Sequence, residues 1–423
     1  MNNEIRALAA AATDATQQGR LREAELLWRK VLALDPGHPR ALYAQGMQAR
    51  LAGDPANAKA LLVRAAAAAP AEPAIQLGMA IVCRELGDLD GEATAIERAL
   101  QLDPYCLPAL LAKAAAIERD VGLRAAAPIY RNALKIAPSE PEWPAAMRTA
   151  LAHGKAVVKR VGEELAAFIE QRTGALMASL TALEVERWRE AGAIVCGRSA
   201  AYPSQPNRLL VPRLPAIPFF QRELFPWADQ LESQTSAIAE EMLRVHAGQP
   251  LEFRPYVAYA PGTPVNQWQE LNHSQRWSSY FLWRDGVPVA AHQQACPRTA
   301  AALAAIEMAD IGGLCPNAMF SALAPRTRIP PHHGETNARL VVHLPLLVPE
   351  GCHYRVGFEQ RQWRVGELLF FDDSIEHEAR NDSDALRVVL IFDVWNPLLS
   401  EAERDMVRSL SQVTREFHQS GAG

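Results

Sequence analysis

Two histidines stand side by side in PPHHGETN, residues 330–337, and Glu335 follows two places after the second. Read as His333-x-Glu335, the stretch is a complete histidine–carboxylate pair. Read one residue earlier, as His332-x-Gly334, it is the same pair with its carboxylate missing. Further along come His343 in ARLVVHLPL, His377 in FFDDSIEHEAR and Arg387 in LRVVLIFDVW. Imidazoles suit non-haem Fe(II), which must keep positions open for O2 and a chelating acid. The planar fork of arginine suits the far carboxylate of such an acid. Adjacent strand residues face opposite sides, so only one of His332 and His333 can face a given site. Spacing alone leaves both registers open and favours His333 with Glu335, the fuller ligand set. If His332 binds instead, Glu335 faces away and water or substrate fills the vacant position. Residues ten apart on one strand point the same way, so His377 and Arg387 are expected to share a face if no bulge intervenes.

The elements that must position these residues are strands. Beyond residue 250 the runs ARLVVHLPLLV and ALRVVLIFDVW are short, β-branched and bounded by turn residues. An amphipathic helix is predicted over 226–246. Prolines 203, 206, 212, 215 and 218 mark an irregular entry to this half. Trp277, Tyr280, Phe281 and Trp283 read first as core, with Trp283 also a candidate substrate wall. The second half is expected to be an α+β domain built on a β-sandwich or barrel.

The first half has a different texture. Proline recurs at 36, 70, 104 and 138, and glycine at 19, 53 and 87, each 34 residues apart. Gly46, Ala80 and Ala114 keep the same period at a position restricted to small side chains, and Gly122 falls one place late. Each unit reads as two helices: a small residue lets them pack closely, a glycine turns the chain, and a proline closes the second. Residues 141–200 continue helical. The divisions predicted are 1–140 for the repeats, 141–205 for a helical connector and linker, and 206–423 for the β-rich domain.

Composition narrows the function classes. The 423 residues are 49% hydrophobic and 22% charged, with a net charge of −5, which is ordinary for a globular chain and gives no general attraction to nucleic acid or anionic lipid. No stretch offers about 18 clean apolar residues, so no membrane span is expected. The six cysteines are scattered with no C-x-x-C, which fits a reducing cytoplasm better than a disulfide scaffold.

Two resemblances follow from these motifs. Residues 3–140 resemble the tetratricopeptide repeat, whose stacked units commonly bind a peptide or protein. PPHHGETNARLVVHLPLLVPEGCHYRV and GELLFFDDSIEHEARNDSDALRVVLIFDVWNP resemble the aspartyl/asparaginyl β-hydroxylase family of 2-oxoglutarate-dependent oxygenases. WSSYFLWRDGVPVAAHQQACPRTAAAL and FPW at 225–227 extend that resemblance to roughly 210–400.

The family pattern implies a double-stranded β-helix (jelly-roll or cupin-like) with flanking helices. It implies His332 and His377 as iron ligands, with Gly334 where most oxygenases carry a carboxylate. It implies Ser321, His343 and Arg387 as holders of 2-oxoglutarate. Arg339, Asn337 and Trp283 are candidate substrate contacts, and Asp372 and Asp373 are expected to order the turn and the ligand surroundings. The implied reaction uses Fe(II), 2-oxoglutarate and O2 to hydroxylate an unactivated carbon of an amino-acid residue, most plausibly the β-carbon, releasing succinate and CO2. The substrate would be peptidyl, protein-borne or carrier-bound, and the repeats are suited to recruit it. Family members acting on aspartyl residues tend to carry a second basic residue two positions after Arg339, and here that position is Val341. Two alternatives stand beside this reading: a halogenase that uses the vacant His-x-Gly position, and a repeat scaffold with an inactive oxygenase-like domain.

Overall fold

The structure is a computed structural model that describes residues 2–248 and 250–420. The chain forms two compact units, Met1–Arg198 and Ser199–Gly423. The helical stretch expected to connect the halves is counted with the first.

In the first unit eight helices run in pairs: α1 (Asn2–Gln17), α2 (Leu21–Leu34), α3 (Pro39–Leu51), α4 (Pro55–Ala68), α5 (Pro73–Glu85), α6 (Leu89–Leu102), α7 (Leu107–Asp120) and α8 (Leu123–Ile136). The second helices of the pairs begin at 21, 55, 89 and 123, so the 34-residue period survives the displaced Gly122. Gly19, Gly53 and Gly87 take left-handed φ of 73°, 82° and 72° in the turn, where a Cβ would be strained. Gly122 has moved to the position just before α8 and adopts φ 117° instead. The small-residue position has a direct cause. A Cβ on Gly46 would lie 3.1 Å from Leu62 of the paired helix, and Ala80 and Ala114 are buried at the equivalent place. Two further helices, α9 (Arg148–Met177) and α10 (Ala182–Val195), complete the unit. Leu151 and Val157 of α9 are buried in one cluster with Tyr130 and Ala133 of α8.

The described residues of the second unit form eleven strands: β1 (Arg254–Pro255), β2 (Trp277–Arg284), β3 (Val287–Pro288), β4 (Ala318–Leu323), β5 (Thr327–His332), β6 (Arg339–Leu347), β7 (Cys352–Val356), β8 (Glu359–Arg361), β9 (Leu369–Phe371), β10 (His377–Asn381) and β11 (Arg387–Trp395). They pair antiparallel into two sheets. One runs β1-β2-β4-β11-β6-β9 with β3 on β2; the other runs β5-β10-β7-β8. Side chains from both sheets, among them Trp277, Val341, Val389, Tyr354, Phe371 and Ala379, share one buried cluster. This is the double-stranded β-helix arrangement.

The outer face of the larger sheet is covered by helices: α11 (Ala228–Glu232), α12 (Thr235–Gly248), α13 (Ala290–Ala295) and α14 (Pro297–Ala304). The single helix expected over 226–246 is thus two, parted at Ser233–Gln234. Ile238, Met242 and Val245 of α12 pack on Leu340, Val342, Leu344, Val388, Leu390 and Phe392. Cys296 gives α14 no side-chain cap, and Glu241 of α12 supplies it from outside, accepting from the backbone N–H groups of Arg298 and Thr299 at 3.0 and 2.8 Å. A last helix, α15 (Glu401–Ser420), follows β11.

The strand pattern decides what faces inward. On β6, Leu340, Val342 and Leu344 face the helices, whereas Arg339, Val341 and His343 line the cavity between the sheets. On β11 the same alternation sends Arg387, Ile391 and Asp393 inward.

Candidate functional site

His332 and His377 are direct cross-strand partners of β5 and β10. Their rings lie 4.0 Å apart, centroid to centroid. Nδ1–H of His332 donates to the carbonyl of Pro330 at 2.8 Å, and Nδ1–H of His377 donates to that of Ile375 at 3.0 Å. A carbonyl can only accept, so each Nε2 is left bare as a potential metal ligand. Burial pushes the two rings down to about 3 and about 4, keeping both neutral and able to ligate at ordinary pH. The face of His332 is closed by Trp268, edge-on at 5.0 Å. His333 is half-buried at the cavity rim, and its backbone carbonyl accepts from Asn207 Nδ2 at 2.7 Å. Glu335 pairs with Arg208 at 3.2 Å. The structure therefore brings together His332 and His377, and gives Glu335 a partner at the rim.

His377 and Arg387 do not share one strand. The turn at residues 382–386 separates β10 in the smaller sheet from β11 in the larger, so the expectation of a common strand face is corrected. The two residues line the same cavity from opposite sheets.

Arg387 is 1% exposed and has no carboxylate partner among the described residues. Its guanidinium lies over the Trp363 ring at 4.4 Å, and burial pushes it down to about 10. An uncompensated buried cation is costly unless an anion completes it. Ser321 lies close by: its backbone carbonyl is 3.4 Å from Arg387 Nη1, and its hydroxyl accepts from Trp277 Nε1 at 3.1 Å, leaving its own proton to donate. His343 Nδ1 accepts from Trp363 Nε1 at 3.1 Å, which puts the ring proton on Nε2. Burial holds this ring well below the usual histidine range.

Arg339 is also inward and buried, but it is not free. Asp373 Oδ1 lies 2.8 Å away and Asp393 Oδ1 3.3 Å away, at ion-pair distance though without hydrogen-bond alignment. Burial acts to lower its pKa; the two carboxylates outweigh burial and raise it. Asp372 is separate from this group. It accepts from the Ser374 N–H at 2.9 Å and orders the turn, and burial pushes it up to about 6.

The space beside Gly334 is already filled. A Cβ built on Gly334 would meet Asp373 Oδ2 at 2.0 Å and Cγ at 2.2 Å. The Asp373 carboxyl group therefore stands in the space where a side chain at 334 would begin. The backbone ties the two together, Gly334 N–H donating to the Asp373 carbonyl at 2.7 Å.

Two expected substrate contacts are displaced. Asn337 is buried and clamps the entry segment, accepting from the Val211 N–H at 2.8 Å and donating to the Val211 carbonyl at 2.9 Å. It does not line the cavity. Trp283 packs against the helix-covered cluster, because a bulge between Phe281 and Trp283 breaks the alternation of β2. Trp277 and Phe281, read as core, do line the cavity.

Tyr354 and Trp363 had drawn no notice in the sequence. Tyr354 stacks on Trp363 at 5.2 Å, and its buried hydroxyl has no partner among the described residues. The signal available was Tyr354 alone, between Cys352 and Val356 at the inward positions of β7, which strand burial alone also explains.

These side chains line one cavity of about 680 Å³, a size suited to a small ligand and part of a second. Among the described residues no group of three histidine, cysteine, aspartate or glutamate side chains converges as a metal cluster would.

Residues 232–397 match the family described as aspartyl/asparaginyl beta-hydroxylase. The chain is 30% identical over 211 residues to aspartate beta-hydroxylase domain-containing protein 2 of Xenopus tropicalis, a match covering 49% of this chain and 54% of that one. It is 35% identical over 157 residues to aspartyl/asparaginyl beta-hydroxylase of Mus musculus, covering 36% and 20%. It is 35% identical over 188 residues to ornithine lipid ester-linked acyl 2-hydroxylase of Rhizobium tropici, covering 44% and 63%. The chain thus spans less than two thirds of each of these relatives.

Proposed function

From the match of residues 232–397 to the aspartyl/asparaginyl beta-hydroxylase family, we propose that the second unit is an Fe(II)- and 2-oxoglutarate-dependent dioxygenase that hydroxylates an unactivated carbon. The observation that carries this reading is Arg387, a buried cation without a carboxylate partner among the described residues, in the same cavity as two neutral histidines with bare Nε2 atoms. The residues fit the implied groups. His332 and His377 would hold the metal through their bare Nε2 atoms. Arg387 and the Ser321 hydroxyl take the far carboxylate of the acid, and His343 Nε2–H donates to it. Trp268 and Trp277 shield the His332 side from water.

Iron, when bound, supplies O2 activation; one oxygen atom goes to the substrate carbon and the other to succinate, with CO2 released. The chain's own work is to orient the two ligands and to keep the acid's carboxylate paired. The repeats are suited to recruit a peptide, protein or carrier that bears the substrate, and the scattered cysteines support a cytoplasmic setting.

The test is Mn(II) binding by calorimetry, followed by succinate formation from 2-oxoglutarate with Fe(II) under air. Both are expected in the wild type, with metal binding lost in His332→Ala. Wild-type protein that binds no metal and forms no succinate would sink the reading.

A further inference from the structure

The geometry points to an uncharged aliphatic group, an acyl chain or an aliphatic amino-acid side chain, as the part of the substrate presented to this centre. This rests on the dioxygenase reading and narrows its substrate.

Two observations carry it. The first is a continuous apolar strip on the inner wall. Phe281 of β2 is the cross-strand partner of Met319 on β4, and Met319 is the partner of Ile391 on β11. Val341 lies on the next strand beside Asp393, and all four residues line the cavity. Three strand spacings give this strip a length of about 14 Å.

The second is the distribution of charge. Five arginines line the cavity. Arg208, Arg254 and Arg284 sit at the rim, with side chains 62%, 70% and 67% exposed. Arg387 is committed to the acid in the reading above. That leaves Arg339 as the inner cation, and it already faces two carboxylates, Asp373 and Asp393. An acidic substrate group would be desolvated with no free cation and with two anions near it. A cationic group would find the same carboxylates engaged by Arg339 and its hydration unreplaced by the apolar strip. A neutral chain needs none of these partners, and each buried methylene contributes about 0.8 kcal/mol, roughly fourfold in affinity.

The experiment is a titration of the full chain loaded with Mn(II) and N-oxalylglycine, a non-reacting analogue of the acid. Four probes are compared by tryptophan fluorescence and calorimetry: N-octanoyl-glycinamide, N-acetyl-leucinamide, N-acetyl-aspartic acid α-amide and N-acetyl-lysinamide. At least one neutral probe is expected to bind roughly tenfold tighter than the aspartyl probe, and which neutral probe wins distinguishes acyl chain from side chain. Ile391→Ser is expected to weaken the preferred neutral probe about fivefold. Asp393→Asn, an isosteric change that relieves Arg339 of one carboxylate, is expected to improve the aspartyl probe.

Equal or tighter binding of the aspartyl or lysyl probe overturns the inference, as does failure of both neutral probes to bind. Substrate-free succinate formation with Fe(II) separates the two levels. If it occurs and the aspartyl probe wins, the substrate assignment alone falls; if neither succinate nor Mn(II) binding is seen, the dioxygenase reading falls and takes the inference with it.

Discussion

The two faces of the larger sheet are made by the same strands and obey different chemistry. Toward the helices, Leu340, Val342, Leu344, Val388, Leu390 and Phe392 form a dry core. One residue over, Arg339, His343, Arg387 and Asp393 are equally buried but polar. The first face gains free energy from burial; the second costs free energy, because charges are kept from water. The outer face thus supplies stability that the inner face spends on poised groups. The contrast also explains why Arg387 can sit unpaired: strands fixed on one face cannot rotate the other face out to solvent.

The sharpest way to break this comparison is to change the metal ligands. His332→Ala or His377→Ala is expected to weaken Mn(II) binding more than about 100-fold by calorimetry, whereas His333→Ala changes it less than about threefold. The reverse result would mean that the inward face has been assigned one residue out of register.

Next in size, Arg387→Met is expected to raise the 2-oxoglutarate concentration needed for half-maximal succinate formation by about 100-fold, the usual scale for losing a buried charged partner. The same change should raise the melting temperature of the metal-free protein, because an uncompensated buried cation is replaced by a thioether of similar length. A fall in both would make Arg387 a structural residue.

On the other face, Leu390→Ala is expected to cost about 2–5 kcal/mol in denaturant unfolding while the folded fraction keeps its Mn(II) affinity. Loss of metal affinity at unchanged stability would show that the faces are not separable.

The smallest effect is on pH. Burial holds His332 at about 3 and His377 at about 4, against 6.5 in an unfolded chain. Between those values the unfolded state binds more protons than the folded one, so stability rises with pH. The contribution is full above about 6.5 and is lost as pH falls toward 4 and then 3. Asp372, raised to about 6, acts in the opposite sense between 3.8 and 6. The metal-free protein should therefore melt lower at pH 5 than at pH 7.5, and a flat profile would mean that these rings are not kept neutral.

Much of this architecture is legible in the sequence, for physical reasons that differ between the units. The repeat helices form from local contacts at a fixed period, so proline and glycine spacing locates them even where Gly122 slips. The site is built from residues far apart in the chain, and strand parity predicts which side chains turn inward only until a bulge intervenes. That is why Trp283 falls on the wrong face; His377 and Arg387 lie on two strands because the turn at 382–386 parts them. Asn337 shows a different limit. Its motif position is informative, yet whether its amide meets a ligand or the Val211 backbone depends on a segment about 126 residues earlier. Nothing local marks Asp373 as the occupant of the space above Gly334.

That last contact sets a rule of exchange. Gly334 cannot accept even a methyl group while Asp373 keeps its present rotamer. Adding a carboxylate at 334 alone would collide with the one already there; shortening Asp373 alone would leave the place bare. The paired change, Gly334→Asp with Asp373→Gly, removes that collision but takes from Arg339 the nearer of its two carboxylates. The two positions share one volume, and neither can be altered without the other being felt.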